Sequence, residues 1–386
     1  MAKREHIPQS ADELTVEWFQ DAIGAPAGGM ITGLSKEVIG AGVGFMGELH
    51  RCTLEWQDRP EGAPHSVIAK IPSKVAKNRS LGEGLQVYER EITVYDELRD
   101  DLGTPIPQHL YSRMDPNPAP WLERFFVFLF EKLPIGGVGW VLNRLIALGA
   151  KSKRRYLLVM EDIHDAQPPS QVVGGSVDDA LAALPVLARF HARNWMSAEM
   201  IEKYPIIWSV DRTPKVVQAS YRRNRDAFVG RFGELLGEET VANMDRIQDE
   251  LGELVPKLAA APWTLLHGDY RLDNLMFRPN GDIVVLDWQI LGYGRAGWDV
   301  AYFITTALEP HHRDEEELML RTYHDALVAE GITDYSFEDL VADCELTKEV
   351  FVHRMVAGDD LLDTEMEGQD EGLVNVLVQR IAGWVS

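Results

Sequence analysis

The sequence predicts an α+β chain built as two lobes, a small β-rich N-terminal lobe and a larger, mainly helical C-terminal one. Three observations carry this. At 386 residues the chain exceeds what one ordinary core accommodates. A Gly-rich, β-type region runs from about Ile31 to Ile71, whereas from Val177 onward the pattern is largely helical. Between them a strand-like run, Tyr156 to Met160, enters a polar linker with two prolines, which sets the expected boundary between residues 1–163 and 164–386.

The elements follow in order. "SADE" near the N-terminus has the Ser-x-x-Glu form of a capping box and predicts an amphipathic helix. "LQVYEREITVYDELRDDLG" places Val87, Glu91 and Tyr95 on one helix face, with Glu89 turned away. Trp121 to Tyr156 is rich in aromatic and aliphatic residues and ends in a basic cluster. This is read as a helical insertion (about 121–155), with a lid, an apolar substrate pocket, a dimer surface or a peripheral membrane contact as sharper roles. The formal net charge of -23 argues against duplex DNA or an anionic membrane as main partner, because both need clustered Lys and Arg. Two cysteines without metal-binding spacing give neither a disulfide framework nor a metal site. No signal-type N-terminus or membrane-length apolar run is present, so the expected location is cytoplasmic, with no transmembrane segment.

The most informative stretch is "LLHGDYRLDNLMFRPNGDIVVLDWQ", from Leu265 to Gln289. Asn280-Gly281 between two apolar runs signals a two-residue hairpin turn. A regular hairpin on that turn sets Asn274 opposite Asp287 at its open end, with Asp269 in the loop feeding its first strand. Carboxylate and amide oxygens converging there suit a hard cation such as Mg²⁺ that shares its shell with phosphates.

His267-Gly268-Asp269-x-x-x-x-Asn274 followed by Leu286-Asp287-Trp288 resembles the signature of the aminoglycoside phosphotransferase and choline kinase-like superfamily, nearest its ecdysteroid kinase-like branch and bacterial phosphotransferase relatives. "LARFHARNW" and "LDWQILGYGRAGWDVAYF" are similar to that group as well. The resemblance implies a protein-kinase-like bilobal fold and transfer of the γ-phosphate of ATP, with Mg²⁺, to a hydroxyl of a small molecule. It implies Asp269 as the base, Asn274 and Asp287 as metal ligands, and His267 as a group that orients the loop. Gly268 in place of an Arg, and Trp288-Gln289 in place of Phe-Gly, separate the chain from regulated protein kinases.

Such a site needs a phosphate-covering loop, a strand Lys and a helical Glu. Gly42-x-Gly44-x-x-Gly47 supplies the loop. A dinucleotide fingerprint fits the same letters, but "ELHRCTLEW" after it is β-type, where a dinucleotide loop would open a helix. Lys70 in "HSVIAKIPS" is the candidate lysine, against the bland reading of an edge Lys reaching to solvent, and Glu91 is its candidate partner. The resemblance also implies main-chain contacts to adenine at Glu161 and Ile163. Tyr270, Trp288, Tyr293 and Trp298 are either pocket or core, and His191 is read as a core histidine. Asp299 is expected to cap a helix and brace the loop. A catalytically silent kinase-like binding protein is the competing function. Retention of Lys70, Asp269, Asn274 and Asp287 together favours the enzyme.

Overall fold

The computed structural model describes residues 6–39, 46–149, 152–359 and 371–385. Five antiparallel strands form the N-terminal sheet: β1 (Met30–Ile39), β2 (Gly47–Gln57), β3 (Ser66–Pro72), β4 (His109–Met114) and β5 (Tyr156–Glu161), in spatial order β1-β2-β3-β5-β4. Side chains of a strand alternate between faces. Val67, Ala69 and Ile71 of β3 therefore pack with the N-terminal segment through Leu14, Phe19 and Ile23. Ile68 turns to the opposite face with Val87 and Tyr95, and Lys70 shares the parity of Ile68. Lys70 sits in the middle strand of the sheet, not at an edge.

Against that second face lies α1 (Val87–Thr93), continued by a wider turn from Val94 to Leu98. The apolar insertion is a helical hairpin, α2 (Pro120–Lys132) and α3 (Ile135–Gly149). Its buried residues Phe130 and Val138 meet Ala219, while Trp121, Phe125, Phe128, Trp140 and Leu148 are exposed. Among the described residues no helix is long and apolar enough to cross a membrane.

The rest is mainly helical: α4 (Val177–Arg193), α5 (Pro214–Ala259, broken at Gly237), α6 (Gly297–Ala307), α7 (Glu316–Ala329), α8 (Phe337–Ala357) and α9 (Glu371–Val385). Ser176 with Asp179, and Ser336 with Asp339, close reciprocal capping boxes on α4 and α8. Between these helices run short strands: β6 (Trp208–Ser209), β7 (Thr264–Leu266), the hairpin β8 (Leu275–Phe277) and β9 (Ile283–Val285), and β10 (Gly292–Gly294). The architecture is the protein-kinase-like bilobal α+β fold that the sequence predicts.

Two local expectations are corrected. Ser10 makes no side-chain cap, because Leu14 turns extended after a three-residue 3-10 turn. Thr15 caps the first short α-helix (Val16–Phe19) instead, accepting from Trp18 N at 3.2 Å. Asp299 is the third residue of α6 and caps nothing; Ala296 holds the cap position.

Candidate functional site

The Lys70 ammonium reaches across from the sheet to two carboxylates, Glu91 Oε1 at 2.7 Å and Asp287 Oδ1 at 3.1 Å. The helix period sends Glu89 elsewhere, to Arg154 of the basic cluster at 2.5 Å. One ammonium serving a buried carboxylate, Glu91, and a half-buried one, Asp287, cannot satisfy both equally. Burial lifts Glu91 to about 7, only partly opposed by Lys70. For Asp287 burial is the largest influence and acts upward, but the charge and hydrogen bond of Lys70, with the charges of Arg271 and His267, together outweigh it and its carboxyl lies below the ordinary range. Burial would lower Lys70, yet Asp287 and Glu91 outweigh that and raise it.

The hairpin is one residue out of the expected register. Leu275 pairs with Val285 and Phe277 with Ile283, and Asn274 O accepts from Leu286 N at 2.8 Å, so Asn274 faces Leu286 and not Asp287. The turn has three residues, Pro279 to Gly281: Arg278 N donates to Asp282 O at 2.9 Å and Gly281 N to Arg278 O at 3.0 Å. Gly281 takes the left-handed position at φ +89°, the geometry of a three-residue hairpin with a bulge. A one-residue slip would reverse the faces of the whole second strand. Asp287 has already left the ladder, at φ +59°, and it still lines the same cavity as Asn274.

That cavity, about 320 Å³, lies between the sheet and the hairpin. Its wall holds Lys70, Glu91, Asn274 and Asp287, and also Glu161 and Ile163 beside β5. Glu161 N already donates to Gln108 O at 2.9 Å, so only the carbonyl of Glu161 is left for a base. Gly47 opens β2, whereas Gly42 and Gly44 lie outside the described residues.

Asp269 lies in the loop that joins β7 to the hairpin. Asn274 Nδ2 donates to its carbonyl at 2.8 Å and to its Oδ2 at 3.0 Å, which leaves Asn274 Oδ1 as the oxygen for a cation. Arg271 Nε donates to the same Oδ2 at 3.2 Å while its Nη1 reaches Asp273 at 2.7 Å. Tyr302 Oη donates to the other oxygen, Oδ1, at 2.7 Å. Burial and the adjacent Asp269 charge hold the Tyr302 phenol well above its ordinary pKa, which keeps it a donor.

The loop is fixed from behind. Wholly buried Asp299 accepts His267 N at 2.6 Å and Gly268 N at 2.9 Å. His267 Nε2 donates to Leu286 O at 2.9 Å, which leaves Nδ1 to accept from Asp269 N at 3.2 Å. Gly268 is obligatory here: it sits at φ +82°, and a Cβ would meet Ile290 O at 2.7 Å. His191 is a core residue between Tyr323 Oη (2.7 Å) and Asp299 Oδ2 (3.3 Å), and burial lowers its pKa. Tyr270 and Trp288 are core as well, while Trp298 lines a second cavity. Sequence reasoning missed Tyr302; its spacing of three from Asp299 on one helix face was the available signal.

The model described as the ecdysteroid kinase-like family matches residues 141–332. Among solved structures, a choline kinase from Cryptosporidium parvum Iowa II is 11% identical over 97% of this chain and 94% of that one, with a TM-score of 0.54. A macrolide 2'-phosphotransferase type I is 14% identical over 97% and 98%, with a TM-score of 0.51. An aminoglycoside phosphotransferase from Alicyclobacillus acidocaldarius is 12% identical over 100% and 96%, with a TM-score of 0.50. At these identities the likeness shows the fold. No curated protein matches the sequence. The ecdysteroid kinase-like match spans the Asp269 loop and its hairpin, and with the shared fold it supports the resemblance to the aminoglycoside phosphotransferase and choline kinase-like superfamily.

Proposed function

We propose that the chain is an ATP- and Mg²⁺-dependent kinase that moves the γ-phosphate to a hydroxyl of a small molecule. The observation that carries this reading is the convergence of Lys70, Glu91, Asn274 and Asp287 on one cavity beside the Asp269 carboxylate. Asp269 is the group that orients the acceptor hydroxyl and takes its proton. Lys70 binds the phosphates and Glu91 holds it in place. Gly47, with Gly42 and Gly44 of the same motif, covers the phosphates by backbone. Ile163 N–H and the Glu161 carbonyl meet the base, and the lobe boundary falls here, between residues 163 and 164.

The donor set fits Mg²⁺. Asp287 and Asn274 offer hard oxygens on one cavity, and among the described residues no group of three His, Cys, Asp or Glu side chains forms a dedicated cage. A cation held by one or two protein oxygens completes its shell with water and phosphate. When bound it neutralises charge on the transferring phosphoryl group. The relatives' names, a choline kinase and a macrolide phosphotransferase, support a small-molecule acceptor.

The test is ADP formation with Mg²⁺ over a panel of hydroxylated compounds, with Asp269→Asn alongside. Acceptor-dependent turnover that the variant lowers about 100-fold or more, with Mg-ATP binding retained, is the expected result. Absence of any nucleotide binding by the wild-type chain overturns the reading.

A further inference from the structure

A second cavity, about 510 Å³, opens on the other side of the Asp269 loop. Gly268 and Tyr302, the neighbour and the hydrogen-bond donor of Asp269, are part of its wall, and the Asp269 side chain remains 22% accessible. Most of the wall is apolar, including Leu266, Val216, Trp298 and Phe351. Among the described residues its charged groups are three arginines, Arg90, Arg212 and Arg354, with no Asp or Glu. In a chain of 61 acidic against 38 basic residues, that is a strong local inversion.

The arginines differ in what answers them. Arg212 is paired with Glu123. Arg90 donates to the carbonyls of Ile206, Gln289 and Leu85 and meets no carboxylate at contact distance among the described residues. Arg354 stacks on Trp298 with its guanidinium carbon 4.7 Å from the ring, and its Nη2 donates to Val210 O at 2.9 Å. Its Nε is buried without a partner, and so is the indole Nε1 of Trp208 in the same wall. Burial lowers Arg354 to about 10, with no acid near enough to oppose it, and burial with Arg212 does the same to Arg90. Both are still charged at neutral pH. A cation set in a mostly apolar wall, with no counter-charge at contact distance among the described residues, is costly, so a ligand that suits this wall brings a negatively charged acceptor of its own.

We propose that this cavity takes the phosphate acceptor as an amphiphilic hydroxy acid, with its apolar body in the cavity, its anionic group on Arg354 and its hydroxyl at Asp269. This rests on the kinase reading and narrows it. The hydroxyl oxygen forms a bond to the γ-phosphorus, the bridging β–γ P–O bond breaks, the hydroxyl proton passes to Asp269, and ADP leaves. A choline-like or polyamine acceptor has the wrong sign for this wall.

Trp208 and Trp298 make the cavity its own reporter. Tryptophan fluorescence of the full chain is titrated with decanoate and with decanamide, which share the apolar body and differ in charge. Decanoate is expected to bind about tenfold or more tightly, as a charge-assisted hydrogen bond requires. Arg354→Met is expected to abolish the difference and Arg354→Lys to restore part of it. Equal affinities in the wild type, or a preference untouched by Arg354→Met, overturn the proposal, as does failure of either ligand to bind. Turnover of ω-hydroxydecanoate against its methyl ester separates the two layers. Tight acid binding without ADP formation sinks the kinase reading and leaves the anion site standing. Turnover with equal preference for the ester sinks the anion site and leaves the kinase.

Discussion

The two cavities that meet at the Asp269 loop are built with opposite chemistry. One carries five carboxylates, Glu91, Glu161, Asp162, Asp273 and Asp287, each beside a cation or a donor: Lys70, Arg51, Ser66 or Arg271 among them. The other carries three arginines and an apolar wall, with no carboxylate among the described residues. A carboxylate-rich cavity with an internal lysine is arranged to take cation and polyphosphate together. An apolar cavity with unanswered donors is arranged to take something that brings its own negative charge. Acidic composition therefore says little about the acceptor, because the charge of -23 is not distributed evenly over the two cavities.

The comparison can be broken from either side. Asp287→Ala removes the carboxylate proposed to hold the cation, and Mg-ATP affinity by calorimetry is expected to fall about 100-fold, in line with loss of a metal ligand or its direct support. Decanoate binding by the same variant should not move; if it does, the cavities are not independent. Gly268→Ala tests the loop between them. It forces a side chain into the left-handed region and against Ile290 O, and urea unfolding should show a loss of about 1–3 kcal/mol or more. Tyr302→Phe is milder: the Asp269 carboxylate loses one donor, kcat is expected to fall about tenfold, a charge-assisted hydrogen bond, while KM for ATP stays constant. A raised KM for ATP would place Tyr302 on the wrong side of the loop.

The last effect leaves both cavities intact and concerns pH. His353 precedes Arg354 on α8, stacked on Tyr221 with ring centroids 4.3 Å apart, and burial lowers its pKa from 6.5 to about 3. It is neutral in the fold and takes its proton only on unfolding. Stability from this residue is complete above pH 6.5 and is lost as pH falls toward 3, at about 1.4 kcal/mol per pH unit for one proton. Urea unfolding at neutral pH and near pH 5, in the wild type and in His353→Phe, reads the slope; an unchanged slope in the variant removes His353 as its source.

What the sequence revealed and concealed follows from the range of the interactions. The Lys70–Glu91 pairing was legible because strand and helix periods put both side chains on facing surfaces. The Asp269–Asn274 spacing and the hairpin were legible because they are local. The register was not, since Asn-Gly serves both as a two-residue turn and, after Pro279, as the end of a three-residue turn with Gly281 left-handed. Ser10 shows the same limit: the letters of a capping box were present, but the chain turned extended at Leu14 before the helix began. Asp299 and Tyr302 serve the loop from α6, and only tertiary packing reveals that. The wall residues Phe351 and Arg354 come from the C-terminal part of the chain, which carries no motif, so neither the second cavity nor its sign could be read in advance.

The placement of Asp299 has one more consequence. Through it the His267–Gly268 backbone is fastened to α6, the helix that also carries Tyr302, so the Asp269 loop and the donor to its carboxylate are held by one helix. Arg354 stands on a different helix, α8. With the acceptor site proposed for Arg354, substitution on α8 would exchange one acceptor for another while the residues of α6 stay untouched, a division of labour that lets related chains diverge in substrate without rebuilding their chemistry.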